Sequence, residues 1–234
     1  YFSYSEAGPG GKGVVLARGV LADGERPALQ KVETLFRAEP YVDGDGHFAG
    51  RIAFSRDGHL FFTNGERQKF VPAQDPKATL GKILRLRDDG TPAAGNPLAA
   101  KGFHPAVWSY GHRNQLGIAF DESGNLWEQE MGPRGGDEVK LVLPGRNYGY
   151  PIVSDGDHYD GRPIPDHSTR PEFEKPKVSW NPVISPAGLM VYSGKLWPQW
   201  KGDLFIGGLS SRALIRVDID GTNARKGDQW PMGE

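Results

Sequence analysis

Apolar and polar positions along the chain alternate in short runs, each closed by Gly, Asp or Asn, and no stretch beyond about ten residues keeps a clean 3.6-residue period. The pattern predicts many strands and few helices. Ile52-Ala53-Phe54-Ser55-Arg56-Asp57-Gly58-His59-Leu60 is matched by Ile118-Ala119-Phe120-Asp121-Glu122-Ser123-Gly124-Asn125-Leu126, which starts 66 positions later. Each reads as strand, Gly turn, strand, so the two are expected to be equivalent hairpins. A third version runs from Gly188-Leu189-Met190-Val191-Tyr192 through Asp203-Leu204-Phe205-Ile206-Gly207 to Ala213-Leu214-Ile215-Arg216-Val217-Asp218, with a longer turn. All-strand repeats of this length predict the blades of a β-propeller, because radial repetition protects sheet edges. A β-sandwich whose hairpins happen to look alike stays open at this point.

At about 60 residues per blade the chain holds close to four blades, whereas its long connections favour a larger closed ring. Two connections stand out, Asn64 to Leu80 and Pro144 to Pro182. Loops longer than about 12–15 residues are usually functional or disordered. The second carries Asp155, Asp157, Tyr159, Asp160 and Trp180, a content that suits the roof of a site over a propeller's channel better than a linker.

Composition narrows the function classes. The 234 residues include 33 Gly and 19 Pro, as a turn-rich all-β chain requires. The 28 Lys+Arg balance 29 Asp+Glu to a net charge of -1, so there is no basic face for nucleic acid or an acidic membrane. No apolar run of about 18 residues offers a membrane span. The absence of Cys removes disulfides, thiolate metal sites and cysteine nucleophiles. The first residues, Tyr1-Phe2-Ser3-Tyr4-Ser5, show no export signal and start like a strand, as in a processed or partial chain.

The densest chemistry lies between residues 110 and 151. Arg113 beside Asn114 offers a planar cation and an amide, suited to carboxylates and carbonyl oxygens; a structural Arg in a buried turn is the plainer alternative. In Gly132-Pro133-Arg134-Gly135-Gly136-Asp137-Glu138 the glycines permit unusual backbone angles that leave carbonyls free, and the two acids supply hard oxygen ligands. Such a stretch can hold Ca²⁺ or be an ordinary turn with solvated acids. Asp43-Gly44-Asp45-Gly46 and Asp155-Gly156-Asp157 do not fit the EF-hand register, and the first reads as a turn. Of the six histidines no pair has the i, i+4 spacing of a helical zinc site. His47 differs in following a Gly-rich turn just before the strand Arg51-Ile52-Ala53-Phe54, where a neutral imidazole facing a channel could act as a general base.

Together these segments resemble the soluble pyrroloquinoline-quinone (PQQ)-dependent glucose/sorbosone dehydrogenase family, and within it the aldose sugar dehydrogenase branch. The resemblance runs in order through His47-Phe48-Ala49-Gly50-Arg51-Ile52, Thr63-Asn64-Gly65-Glu66-Arg67, Leu80-Gly81-Lys82-Ile83-Leu84-Arg85, Gly111-His112-Arg113-Asn114, Gly132 to Glu138, Asn147-Tyr148-Gly149-Tyr150-Pro151 and Ser185-Pro186-Ala187-Gly188. It covers nearly the whole chain.

The resemblance implies an all-β six-bladed β-propeller, of which residues 1–234 form a single domain of about four blades, truncated at both ends. It implies that His47 is the catalytic base taking the proton of an anomeric hydroxyl while hydride passes to the quinone. Arg113 and Asn114 match the pair that contacts the cofactor. Gly132 and Pro133 match positions whose backbone carbonyls hold the cofactor's Ca²⁺, and Glu138 and Tyr148 match ligands of a second, structural Ca²⁺. An aldose substrate, a lactone product, an external electron acceptor and a periplasmic or secreted location follow by the same route. Two departures are visible. Gln115 and Leu116 stand where the family usually continues with Pro and Gln, and the family's later basic cluster and an early cofactor-binding Gln fall outside residues 1–234. A non-catalytic binding scaffold and a Ca²⁺-dependent lactonase are the competing functions.

Overall fold

The computed structural model describes residues 1–233, and its regular structure is antiparallel strands with four single-turn 3-10 helices, joined by long loops. The first sheet has three strands, β1 (Phe2–Gly8), β2 (Gly11–Ala22) and β3 (Ala28–Arg37). The second has β4 (Ala49–Phe54), β5 (Leu60–Asn64), β6 (Lys82–Leu86) and β7 (Val107–Tyr110). The third is ordered from β8 (Gln115–Phe120) through β9 (Leu126–Glu130) and β11 (Asp137–Leu141) to β13 (Val178–Trp180). A small ribbon pairs β10 (Arg134–Gly135) with β12 (Gly156–Asp157). The fourth sheet has β14 (Pro186–Val191), β15 (Leu204–Gly208), β16 (Ala213–Asp220) and β17 (Asn223–Pro231).

The two matched hairpins are equivalent, as the 66-residue offset requires. Phe54 faces Leu60 across β4 and β5, and Phe120 faces Leu126 across β8 and β9. Both turns close alike, with Ser55 N–H donating to His59 O at 3.0 Å and Asp121 N–H to Asn125 O at 3.0 Å. The third version keeps the pairing, Val191 against Leu204, across its longer turn. The leading strands β4, β8 and β14 lie side by side, β8 in the middle. Sheets stacked by their leading strands have the arrangement of propeller blades.

Side-chain alternation welds neighbouring sheets together. On β5, Leu60 and Phe62 point back to Val14 and Leu16 of the first sheet. Phe61 between them points forward to Ile118 and Leu126 of the third. Similarly Trp127, Val139 and Leu141 meet Leu204, Ile206 and Val217 of the fourth sheet. Each sheet is therefore buried on both faces where it has a neighbour on each side.

Candidate functional site

The two long connections return over the same end of the sheets and are tied to each other there. Asn147 and Gln74 form a reciprocal amide pair, at 3.0 and 2.8 Å, and Gln74 also donates to Tyr150 O at 2.7 Å. The Lys82 ammonium anchors the first connection from below, donating to Pro72 O, Ala73 O and Leu80 O at 2.6–3.0 Å. Beneath these loops is a cavity of about 300 Å³ lined by His47, Glu66, Phe70, Arg113, Tyr150 and Tyr159, among others. A larger groove of about 650 Å³ beside the first sheet carries Glu6, Arg37 and Tyr41, which already bond to one another, and offers no comparable free chemistry.

His47 enters this cavity from an unusual backbone. It and Ala49 both hold positive φ, 53° and 55°, a region that costs a residue with a Cβ. The segment is held by the buried Arg67 guanidinium, which donates to Gly46 O (2.8 Å), Lys12 O (2.5 Å) and Gly44 O (2.5 Å) and lies 3.6 Å from the Phe48 ring centre. Asp43-Gly44-Asp45-Gly46 is thus a turn pinned by Arg67, with Asp43 and Asp45 paired to Lys69 and Lys12.

Nδ1 of His47 bonds Oε1 of the fully buried Glu66 at 2.5 Å. Glu66 also accepts N–H bonds from Gln68 (2.9 Å) and Phe70 (2.7 Å). Burial opposes its charge, but the His47 bond and these backbone donors outweigh burial and hold the carboxyl below its ordinary range. An ionised Glu66 makes Nδ1 the donor, so Nε2 is left as the free, basic nitrogen of a side chain lining the cavity.

Arg113 reaches the same cavity from the loop before β8. One guanidinium nitrogen donates to Met131 O at 2.8 Å and the other to the Tyr159 hydroxyl at 3.2 Å, while Nε is buried without a partner. Asn114 does not line the cavity. It is buried beside Gly65, and its Oδ1 has no partner.

Pro133 and Tyr159 border both this cavity and an open depression of about 740 Å³ that continues along Gly132, Asp157 and Asn181. The carbonyl oxygens of Gly132 and Pro133 accept no hydrogen bond among the described residues. A Cβ on Gly132 would lie 2.3 Å from Gly135 O and Gly136 O, so only glycine fits there. Asp137 fixes the loop by accepting N–H bonds from Gly132, Ile184 and Ser185 at 2.7–2.9 Å. Two free carbonyls, an orphaned guanidinium nitrogen and an aromatic wall fit an anionic planar quinone with its Ca²⁺.

Glu138, Tyr148 and Lys140 border a small void of about 10 Å³ that adjoins the cavity and shares Arg113, Pro133 and Tyr150 with it. Glu138 is taken by the Lys140 ammonium at 2.7 Å and faces His167 Nε2 at 3.6 Å. Burial works against its charge, but Lys140 and His167 bring its carboxyl down to about 2. Tyr148 donates its hydroxyl to Leu141 O (2.5 Å) and accepts Leu143 N–H (2.8 Å). Neither side chain is free for a metal and only the Tyr148 carbonyl is left without a donor among the described residues, so the pair offers the second Ca²⁺ that the sequence resemblance implies a single open oxygen unless Lys140 is displaced. Nearby, burial and the adjacent Glu130 push Glu128 well above the usual carboxylate range. His112 is fully buried on the Tyr148 ring at 4.7 Å and bonded to Ser109, and burial keeps it neutral.

Sequence reasoning brought His47, Arg113 and Pro133 to one site but assigned nothing to Glu66, Phe70, Tyr150 or Lys140. Glu66 had a signal, its place two residues beyond a strand within a quoted segment; Phe70 and Tyr150 depend on how the loops return, and Lys140 on the register of β9 and β11.

A family model described as Glucose / Sorbosone dehydrogenase matches residues 1–233. The aldose sugar dehydrogenase YliI of Escherichia coli (strain K12) is 36% identical over 226 residues, covering 94% of this chain and 61% of its own length. The structure of the E. coli soluble aldose sugar dehydrogenase in the apo form superposes with a TM-score of 0.88 at 34% identity, covering 97% of this chain and 67% of that one. The PQQ-bound aldose sugar dehydrogenase of Streptomyces coelicolor gives 0.73 at 30% identity, over 97% and 61%. The chain spans about 57–61% of the length of the first curated relatives it matches.

Proposed function

The chain belongs to the glucose/sorbosone dehydrogenase family, and from that membership we propose that it oxidises the anomeric carbon of aldoses to lactones with PQQ and Ca²⁺. The observation that carries this reading is the His47–Glu66 pair, whose free imidazole nitrogen shares one cavity with the Arg113 guanidinium and Pro133.

In this reading the aldose enters between Phe70, Tyr150 and Tyr159. His47 accepts the proton of the anomeric hydroxyl at Nε2 as the C1 hydride leaves. Glu66 holds the imidazole in one tautomer and stabilises the imidazolium that forms. The chemistry a bound quinone and its Ca²⁺ would supply is a hydride acceptor with a polarised carbonyl. Arg113 stabilises the negative charge that develops beside it, and the Gly132 and Pro133 carbonyls hold the Ca²⁺. Asn114, buried beside Gly65 and the His47 loop, supports that loop from outside the cavity lining. An external acceptor then takes the two electrons. The four sheets belong to a six-bladed propeller in the whole protein, which works in the periplasm or outside the cell.

The experiment is a product assay with an artificial two-electron acceptor. We expect one lactone per acceptor reduced, only with quinone present. Lactone hydrolysis with Ca²⁺ alone would replace this reading with a hydrolase.

A further inference from the structure

One face of the third sheet carries an unusual row of ionisable side chains. Glu128 pairs with Lys140, and Glu130 with Glu138, as direct cross-strand partners on β9 and β11. Alternation puts these four opposite Trp127, Val139 and Leu141, and all four are buried. The Lys140 ammonium bonds Glu130, lies 2.7 Å from Glu138 and 3.7 Å from Glu128, and sits 5.5 Å from the Tyr148 ring centre.

We propose that the Lys140 ammonium is the built-in cation of this cluster and takes the place that the family resemblance gives to a second, structural Ca²⁺ at Glu138 and Tyr148. Buried carboxylates need a counter-charge within hydrogen-bond reach, and Lys140 supplies it to Glu130 and Glu138 at once, while Glu128, 3.7 Å away and pushed well above the carboxylate range, is held without a direct partner. Ca²⁺ needs six to eight oxygens at 2.3–2.6 Å. Here the carboxylate it would need is bonded to an ammonium, the Tyr148 hydroxyl is doubly bonded so that only the Tyr148 carbonyl stays open, and the void has room for about one water, far short of a full shell. A dication on Glu138 would also face the Lys140 charge across a low-dielectric interior, which repels it strongly. Lys140 acts toward the cofactor side as well, because Glu130 accepts the Arg113 backbone N–H at 2.8 Å. The ammonium thus props the segment that presents Arg113 and needs no metal for it.

The inference rests on the family reading only for the ion it displaces, and its tests involve no turnover, so its failure is separable from failure of the proposed function. Quinone-free protein is melted in chelator and in Ca²⁺. The wild-type midpoint is expected to be the same in both. Lys140→Asn removes the cation and opens room, so its midpoint should fall in chelator and rise by roughly 5–10 °C at Ca²⁺ about a hundredfold above Kd. A folded Lys140→Asn protein that ignores Ca²⁺ overturns the proposal. Equilibrium dialysis with radioactive Ca²⁺ covers the case in which that variant does not fold. Wild type and Glu138→Gln should bind the same number of ions, and an ion held by wild type but lost in Glu138→Gln overturns the proposal.

Discussion

Replacing His47 by Ala is expected to lower aldose turnover by roughly 10²–10⁴-fold, the usual worth of a positioned general base, while quinone binding persists. The expectation follows from the division of labour in the cavity. Of the two histidines that line the cavity among the described residues, His47 is the one oriented by a buried carboxylate, whereas the proposed cofactor side is built by Arg113 and the Gly132-Pro133 carbonyls. A loss confined to kcat separates a base from a binding residue. Glu66→Gln should lower kcat less, because the imidazole stays but loses the carboxylate that fixes its tautomer. The same pair contributes to stability. The folded state holds the Glu66 carboxyl below its ordinary range, so this contribution is complete above the unfolded pKa of about 4.3 and fades as pH falls through the folded value. Wild type and Glu66→Gln should therefore converge in stability on acidification, which thermal melts across pH can follow.

Arg67→Ala should destabilise the protein by about 3–5 kcal/mol and lower the melting midpoint by roughly 10 °C. Three carbonyl oxygens, from Gly46, Lys12 and Gly44, lose a charged donor at once, and Phe48 loses the group stacked on its ring. The consequence reaches the site because His47 is the next residue after Gly46 and holds a positive φ that nothing in its own side chain favours. Released from Arg67, this segment relaxes toward ordinary backbone angles and takes the imidazole away from Glu66. Activity should fall in step with stability, whereas in His47→Ala the loss of turnover should far exceed what the loss of the Glu66 partner costs in stability. Calorimetry of both variants beside a turnover assay checks the contrast.

The strand pattern was legible wherever one hairpin repeated another. Ile52–Leu60 and Ile118–Leu126 share alternation and turn chemistry, so their equivalence could be read directly. The first sheet was not, because β2 hides a buried run, Val14–Ala17, inside a long strand whose remaining positions are mostly polar or glycine. At the site, His47, Arg113 and Pro133 were legible as members of ordered segments. Tyr150 stood in such a segment and Tyr159 in the connection expected to roof a site, but neither had a role, since the Gln74–Asn147 amide pair that brings their loop over the cavity joins residues 73 positions apart. Lys140 is the sharpest case. A strand reading Glu138-Val139-Lys140-Leu141 has the alternation of a half-exposed sheet, yet the polar face is buried because the partner strand sets Glu128 and Glu130 across from it. Only the register shows that Lys140 stands among the three glutamates and bonds two of them.

The most direct test of the central claim is to titrate PQQ into the protein with and without Ca²⁺, follow the cofactor's absorbance, and then add an aldose. The account predicts Ca²⁺-dependent binding followed by bleaching that His47→Ala abolishes. Binding without bleaching by any aldose in the wild-type protein would contradict it.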